Sequence, residues 1–270
     1  MPEDLPEGAG SPGGMGDMTV ELDGGVLRLT FTRPEVLNAL SGLMAVTVAE
    51  QLERAHADDD VRVVVITGSG GSFSAGADIS GVDAHERFDV RALDAANRII
   101  RAEVGCAKPV LAAVDGVAAG VGCSIALAAD VIVASEAAAF LLAFSRIGLM
   151  PDGGTSATVA AAVGRARAMR MTLLAEPLTG QEAYDAGLVT HVAPAEEFPE
   201  LVDKLTRRLA TGPPLAYTAA KKAVNAATLG QLEDALERER TGQTILLRTD
   251  DVAEGMRAFS EQRKPRFRGR

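Results

Sequence analysis

A chain of 270 residues lies near the upper limit for one hydrophobic core, which favours one large domain with a smaller appendage. Its residues are 47% hydrophobic but only 4% aromatic, which suits helices packed closely on a sheet; the longest apolar stretch is broken by Asp115, Asp130 and several glycines, which excludes a membrane span. The net charge of −10 argues against general nucleic-acid binding.

Residues 1–18, rich in Pro, Gly and acids, lack the basic start and apolar core of a secretory signal and are expected to be a disordered extension. "TVELDGGVLRLTFTRP" alternates apolar and polar residues on both sides of Asp23-Gly24 and predicts a β-hairpin. In the next segment Ser41 can cap a helix that carries Leu40, Met44, Val48, Leu52 and Ala55 at helical spacing. "VRVVVITG" is a β-branched run ending in Gly, as expected of a strand buried on both faces of a parallel sheet. A helix over Val90 to Glu103, the strand "KPVLAAVDG", a Gly-rich turn into a helix around "CSIALAAD" and the strand "VIVAS" repeat the same grammar. Such repeats imply a mainly parallel sheet with right-handed crossovers. From Arg165 the pattern is helical, "LTGQEAYDAGLVTHV" giving a helix ended by Gly187 and a short extended piece. The core is therefore expected over residues 19–200, with a helical region over 201–270.

Several residues invite a functional reading. "GSGGSF" from Gly68 and "GVGCSI" from Gly120 fail as dinucleotide fingerprints, because Phe73 stands at the sixth position of the first and the second lacks its third glycine. Each loop nevertheless follows a buried strand and leads toward a helix. Each is a tight turn when taken alone; together they can present backbone N–H groups to one oxyanion. In "AFSRIGLMPDGGTS", Asp152 reads as a turn or cap residue, although Thr155 and Ser156 stand closer to the helix start and could cap it themselves. His56 and His191 offer no metal spacing with each other or with the cysteines, so no metal is expected, and no G-x-S-x-G elbow supports a serine hydrolase. Cys106 and Cys123, in a chain with no export signal, are expected to be reduced buried thiols in a cytoplasmic protein. The tail carries Arg257, Arg263, Lys264, Arg266, Arg268 and Arg270 against Glu261, which is a solvated basic end or a complement to phosphate.

"TRPEVLNAL", "VVVITGSGGSFSAGADI", "KPVLAAVDGVAAGVGCSIALAADVIVAS", "FSRIGLMPDGGTS" and "LTGQEAYDAGLVTHV", in this order from about Val20 onward, resemble the motifs of the crotonase, or enoyl-CoA hydratase/isomerase, superfamily. The resemblance implies an α/β, ClpP/crotonase-like spiral of ββα repeats with a C-terminal helical region used in trimerisation, often as a dimer of trimers. It implies an acyl-CoA substrate, coenzyme A entering as part of that substrate, and no tightly bound cofactor. Two backbone N–H groups would hold the thioester oxyanion, here those of Ala77 and Val121. Ala75, Ala77, Asp78, Ile79 and Ser80 would line the thioester and pantetheine, Val36 and Leu37 the adenine end, and Lys264 and Phe267 the nucleotide, in the same or a neighbouring subunit. His85 and Glu86 fall in a segment that often covers the acyl pocket, where a surface role is the simpler reading.

The two glutamates of the family's hydratases fall on Ser124 and Phe144, so both carboxylates are absent, and a serine hydroxyl is too weak a base to replace one. The family's 3-enoyl to 2-enoyl isomerases carry an acid directly after the Pro of this segment, where this chain has Asp152. The resemblance therefore implies a double-bond isomerase with Asp152 as acid/base. A hydratase using other groups, a dehalogenase or thioesterase using Asp152, and an inactive CoA-binding subunit remain the alternatives.

Overall fold

The computed structural model describes residues 16–79 and 89–270. Strands β1 (Met18–Asp23) and β2 (Val26–Phe31) form the expected antiparallel hairpin, with the turn one residue later than expected, on Gly24 and Gly25. Helix α1 (Gly42–Ala57) starts at Ser41, whose Oγ accepts the Met44 N–H at 3.3 Å, and buries Met44, Val48, Leu52 and Ala55. Leu40 lies before this helix, in a bridge to Ala77. Strand β3 (Val63–Gly68) is parallel to β2, and α2 (Val90–Gly105) is capped by Asp89, whose carboxylate accepts the Arg91 N–H at 2.9 Å.

Strands β4 (Val110–Val114) and β5 (Val117–Ala119) are almost continuous in sequence but belong to different sheets, as do β6 (Val131–Ser135) and β7 (Ala139–Leu141). Each pair turns a corner from one sheet to the other. Helix α3 (Val121–Ala128) follows the first pair and α4 (Thr155–Leu174), kinked at Gly164, follows the second. The strand-strand-helix unit is therefore explicit at β4-β5-α3 and at β6-β7-α4. β8 (Leu178–Thr179), α5 (Gly180–Asp185) and β9 (His191–Ala193) complete the two sheets, and α5 begins with a capping box between Thr179 and Glu182. The larger sheet has the order β1-β2-β3-β4-β6-β9 and is parallel from β2 onward; the smaller has the order β5-β7-β8. Helices α6 (Phe198–Thr211), α7 (Pro214–Thr228), α8 (Leu232–Leu246) and α9 (Asp250–Ser260) end the chain.

Alternation along the parallel strands sends side chains to both faces of the larger sheet. Val64, Ile66, Val110, Ala112, Val114, Ile132 and Ala134 join the main core with α1, α2 and α3. Val65, Leu111, Ala113 and Val133 face the other way and pack on Val202, Leu201 and Leu205 of α6. The sheet is therefore covered on both sides, which is why β3 reads as an unbroken apolar run. Residue 200 falls inside α6, so the expected division at that residue runs through a helix that packs on the sheet. Phe73 is buried edge-on against Phe31, 5.7 Å between ring centres, so the residue that broke the dinucleotide pattern is a core residue. Both cysteines are free and buried, and burial pushes the Cys123 thiol up to about 12.

Candidate active site

Three loops meet beside the first turn of α3. The first, residues 33–40, is a polar knot around Asn38. The Asn38 Oδ1 accepts the Arg33 N–H at 2.8 Å, and its Nδ2 donates to Ser69 O at 2.9 Å and Ser72 O at 2.7 Å. Arg33 donates to Ala39 O at 2.8 Å and to Asp78 at 3.0 Å. The second loop pairs with the first through Ala75 N to Leu37 O, Leu40 N to Gly76 O and Asp78 N to Leu40 O. Val36, Leu37, Ala75, Ala77, Asp78 and Ile79 are thereby brought onto two paired segments, whereas Ser80, His85 and Glu86 lie outside the described residues.

The third loop is the turn into α3. Gly76 has a φ of +96°, and a Cβ there would stand 2.8 Å from Ala119 O and 3.4 Å from Val121 N. Only glycine allows so close an approach. Ala77 and Val121 therefore belong to adjoining turns, and neither N–H donates to an acceptor among the described residues. Val121 is the first residue of α3, where backbone N–H groups have no intrahelical partner and the helix favours negative charge. Such a pair can stabilise an oxyanion.

Asp152 packs against the same helix. Ser124, one turn into α3 and fully buried, donates from Oγ to Asp152 O at 2.9 Å. Gly153 has a φ of +63°, and a Cβ there would lie 2.7 Å from the Ser124 Cβ, so the loop rests directly on this serine. Asp152 is 7% exposed as a residue; its Oδ2 accepts from Gln243 Nε2 at 2.8 Å and its buried Oδ1 has no hydrogen-bond partner. Burial raises its pKa to about 7, opposed by the Gln243 hydrogen bond and assisted by the charge of Glu239. A buried carboxyl poised near neutrality can both take and return a proton.

Glu239 and Gln243 were not found by sequence reasoning. They lie one turn apart on the inward side of α8, continuing the buried stripe of Leu232, Ala235 and Leu236. That offers a signal: two polar residues on an apolar stripe. Glu239 Oε2 accepts the Gly154 N–H at 2.7 Å and its Oε1 the Ser156 N–H at 2.9 Å. The start of α4 is thus capped by a glutamate from another helix. The expected caps are corrected accordingly: Thr155 is the first helical residue and turns its hydroxyl back to Asp152 O at 3.0 Å, and Ser156 offers its N–H to Glu239. Glu239 is itself held above the usual carboxylate range by burial, against the pull of these N–H groups.

Phe144 is buried in the 3-10 segment Ala143–Ile147, and its side chain supplies no polar group. Lys264 and Phe267 lie on a tail held to α9, where Glu254 receives Arg263 and the Arg266 N–H, and Asp251 receives the Arg268 and Gly269 N–H groups. His56 meets only Gly105 O, at 3.1 Å, and His191 only Thr190, at 3.0 Å, among the described residues.

Residues 21–270 match the family model described as enoyl-CoA hydratase/isomerase. The chain belongs to the enoyl-CoA hydratase/isomerase family. It is 40% identical over 252 residues to a probable enoyl-CoA hydratase of Rhodobacter capsulatus, covering 93% of this chain and 97% of that protein. It is 36% identical over 251 residues to the 1,2-epoxyphenylacetyl-CoA isomerase of Escherichia coli, covering 91% of this chain and 96% of the relative. The solved structure of an enoyl-CoA hydratase from Mycobacterium avium subsp. paratuberculosis superposes with a TM-score of 0.88 at 49% identity, covering 93% and 98% of the two chains. The architecture is therefore the crotonase fold and the protein an acyl-CoA enzyme of this family. No described helix is long and apolar enough to cross a membrane.

Proposed function

We propose that this family member shifts the double bond of a 3-enoyl-CoA to the 2-position, with Asp152 as the acid/base and the Ala77 and Val121 N–H groups holding the thioester oxyanion. The observation that carries this reading is the Asp152 carboxyl: buried, raised to about 7, and with one oxygen unpartnered. A double-bond shift needs a single group that takes a proton from C2 and returns it to C4 while a dienolate is stabilised, and it needs no resident cofactor. Hydration needs a second proton-transfer group to activate water, and the corresponding positions hold a serine bonded to backbone and a buried phenylalanine. The names of relatives include both hydratases and isomerases.

The test compares wild type with Asp152→Asn on 3-hexenoyl-CoA and crotonyl-CoA. Isomerisation of 3-hexenoyl-CoA by wild type, lowered by about 10²–10⁴ in the variant, is expected for loss of the proton-transfer group. Rapid hydration of crotonyl-CoA by both proteins overturns the reading. CoA binding without turnover of any acyl-CoA would identify an inactive binding subunit instead.

A further inference from the structure

We propose that Gln243 is a positioning residue for Asp152: it occupies Oδ2 and leaves Oδ1 as the only seat for the transferred proton. This rests on the isomerase reading and adds to it a residue from the C-terminal helices. The Gln243 side chain is fully buried and held at both ends of its amide, Oε1 accepting the Met150 N–H at 3.1 Å and Nε2 donating to Asp152 Oδ2 at 2.8 Å. A backbone N–H can only donate, so the amide atom facing Met150 is the oxygen and the atom facing Asp152 is the nitrogen. The amide cannot flip without setting two donors against each other. Asp152 Oδ2 is therefore a standing acceptor, and a proton placed on it would meet the Nε2–H. Oδ1, buried and unpartnered, carries no such conflict. One turn earlier, Glu239 binds the Gly154 and Ser156 N–H groups, so α8 grips the loop on both sides of the aspartate.

In the proposed shift, Oδ1 takes the C2 proton and the C–H electron pair passes into the C1–C2 bond, leaving negative charge on the thioester oxygen. Return of that proton from Oδ1 to C4 restores the carbonyl and leaves the double bond at C2–C3. With one oxygen serving both transfers, the orientation of the carboxylate decides whether C2 and C4 are both in reach.

Few charges bear on this titration among the described residues. On α8 it is Glu239; α3 has none; on α2, Asp94, Arg98 and Arg101 are engaged by Arg240, Glu53 and Glu233; α4 carries no charge before Arg165. Gln243 is the donor that opposes burial at Asp152. Its loss should therefore move the Asp152 midpoint upward.

The experiment uses the full chain as wild type, Gln243→Leu and Gln243→Glu, with folding followed by circular dichroism. Asp152 is titrated through its carboxyl carbon in ¹³C-aspartate-labelled protein, its signal assigned by its loss in Asp152→Asn, and kcat/KM for 3-hexenoyl-CoA is measured against pH. The wild-type midpoint is expected at about 7. In Gln243→Leu it should rise by roughly one unit, which lowers the ionised fraction, and with it kcat/KM at pH 7, by about fivefold. If the leucine variant does not fold, the near-isosteric Gln243→Glu is expected to shift the midpoint in the same direction, because it sets a second carboxyl against Asp152. A folded variant whose Asp152 midpoint stays at the wild-type value overturns the proposal. A midpoint that moves in a protein with no isomerase activity supports the positioning role and overturns the reaction.

Discussion

Burying a carboxylate destabilises the fold whenever the carboxylate is charged, and Asp152 bears that cost at the centre of the candidate site. Its pKa rises from 3.8 to about 7 on folding. The folded state therefore binds the proton more tightly than the unfolded chain. The associated stability is fully present below about pH 4, falls as pH rises through about 7, and is absent above it. At 1.36 kcal/mol per unit this is at most about 4 kcal/mol. Asp152→Asn keeps the shape and removes the charge, so the variant that abolishes the proposed activity should be more stable than wild type at pH 8, with the difference vanishing near pH 4. Chemical denaturation at the two pH values checks this, and equal stability at pH 8 would show that Asp152 titrates as an ordinary exposed acid. Ser124 illustrates how far a single position could be read in advance. The absence of a glutamate there was legible; that the serine would support the Asp152 backbone was not, because the bond closes over 28 residues.

At the scale of elements, α7 shows a helix held by polar links. It has no fully buried residue, yet three of its side chains reach carbonyls at the end of α2 and just beyond. Thr218 donates to Ala107 O, Asn225 to Val104 O, and Lys221 to Glu103 O at 2.9 Å and Lys108 O at 3.3 Å. These satisfy carbonyls that a helix C-terminus leaves open, and a cation is favoured there. Lys221 also pairs with Asp130 at 2.7 Å, its own side chain only 7% exposed. Next to this pair, Glu103 is fully buried with both carboxylate oxygens unpartnered, and burial holds its pKa well above the usual range. Lys221→Met should therefore cost about 3–5 kcal/mol, because it strands Asp130 in a site where burial already raises its pKa. Adding Asp130→Asn should restore part of the loss, since no lone buried charge then remains. Denaturant midpoints of the two variants decide it; a single variant within about 1 kcal/mol of wild type would reduce the pair to a surface contact. The alanine-rich pattern of this helix could not tell Lys221 from its exposed neighbour Lys222, because only the docking on α2 distinguishes them.

Across the whole molecule, the features legible from sequence were those with local causes: the hairpin, the Ser41 cap and the parallel strands whose apolar runs reflect burial on both faces. The second sheet escaped because β5, β7 and β8 hold three, three and two residues, too few to show a period. The grip of α8 on Asp152 escaped because Gln243 lies 91 residues away. The charge asymmetry of the chain was legible, but its local partners were not. The basic tail folds back on α9, whose Asp250, Asp251 and Glu254 receive Arg270, the Arg268 and Gly269 N–H groups, and Arg263 with the Arg266 N–H. These contacts are exposed, so each is individually weak and screened by salt. The tail should therefore be held at low ionic strength and released at about 0.5 M salt, where the Debye length falls well below 10 Å. Limited trypsin digestion reads this directly: cleavage after Arg263, Arg266 and Arg268 should accelerate several-fold with salt, relative to a control peptide of the same sequence that corrects for the protease. Asp251→Asn with Glu254→Gln should give the fast rate already at low salt, because both backbone clamps and the Arg263 pair are weakened together. A digestion rate indifferent to salt and to the double substitution would mean that backbone and apolar contacts, rather than these charges, hold the tail on α9.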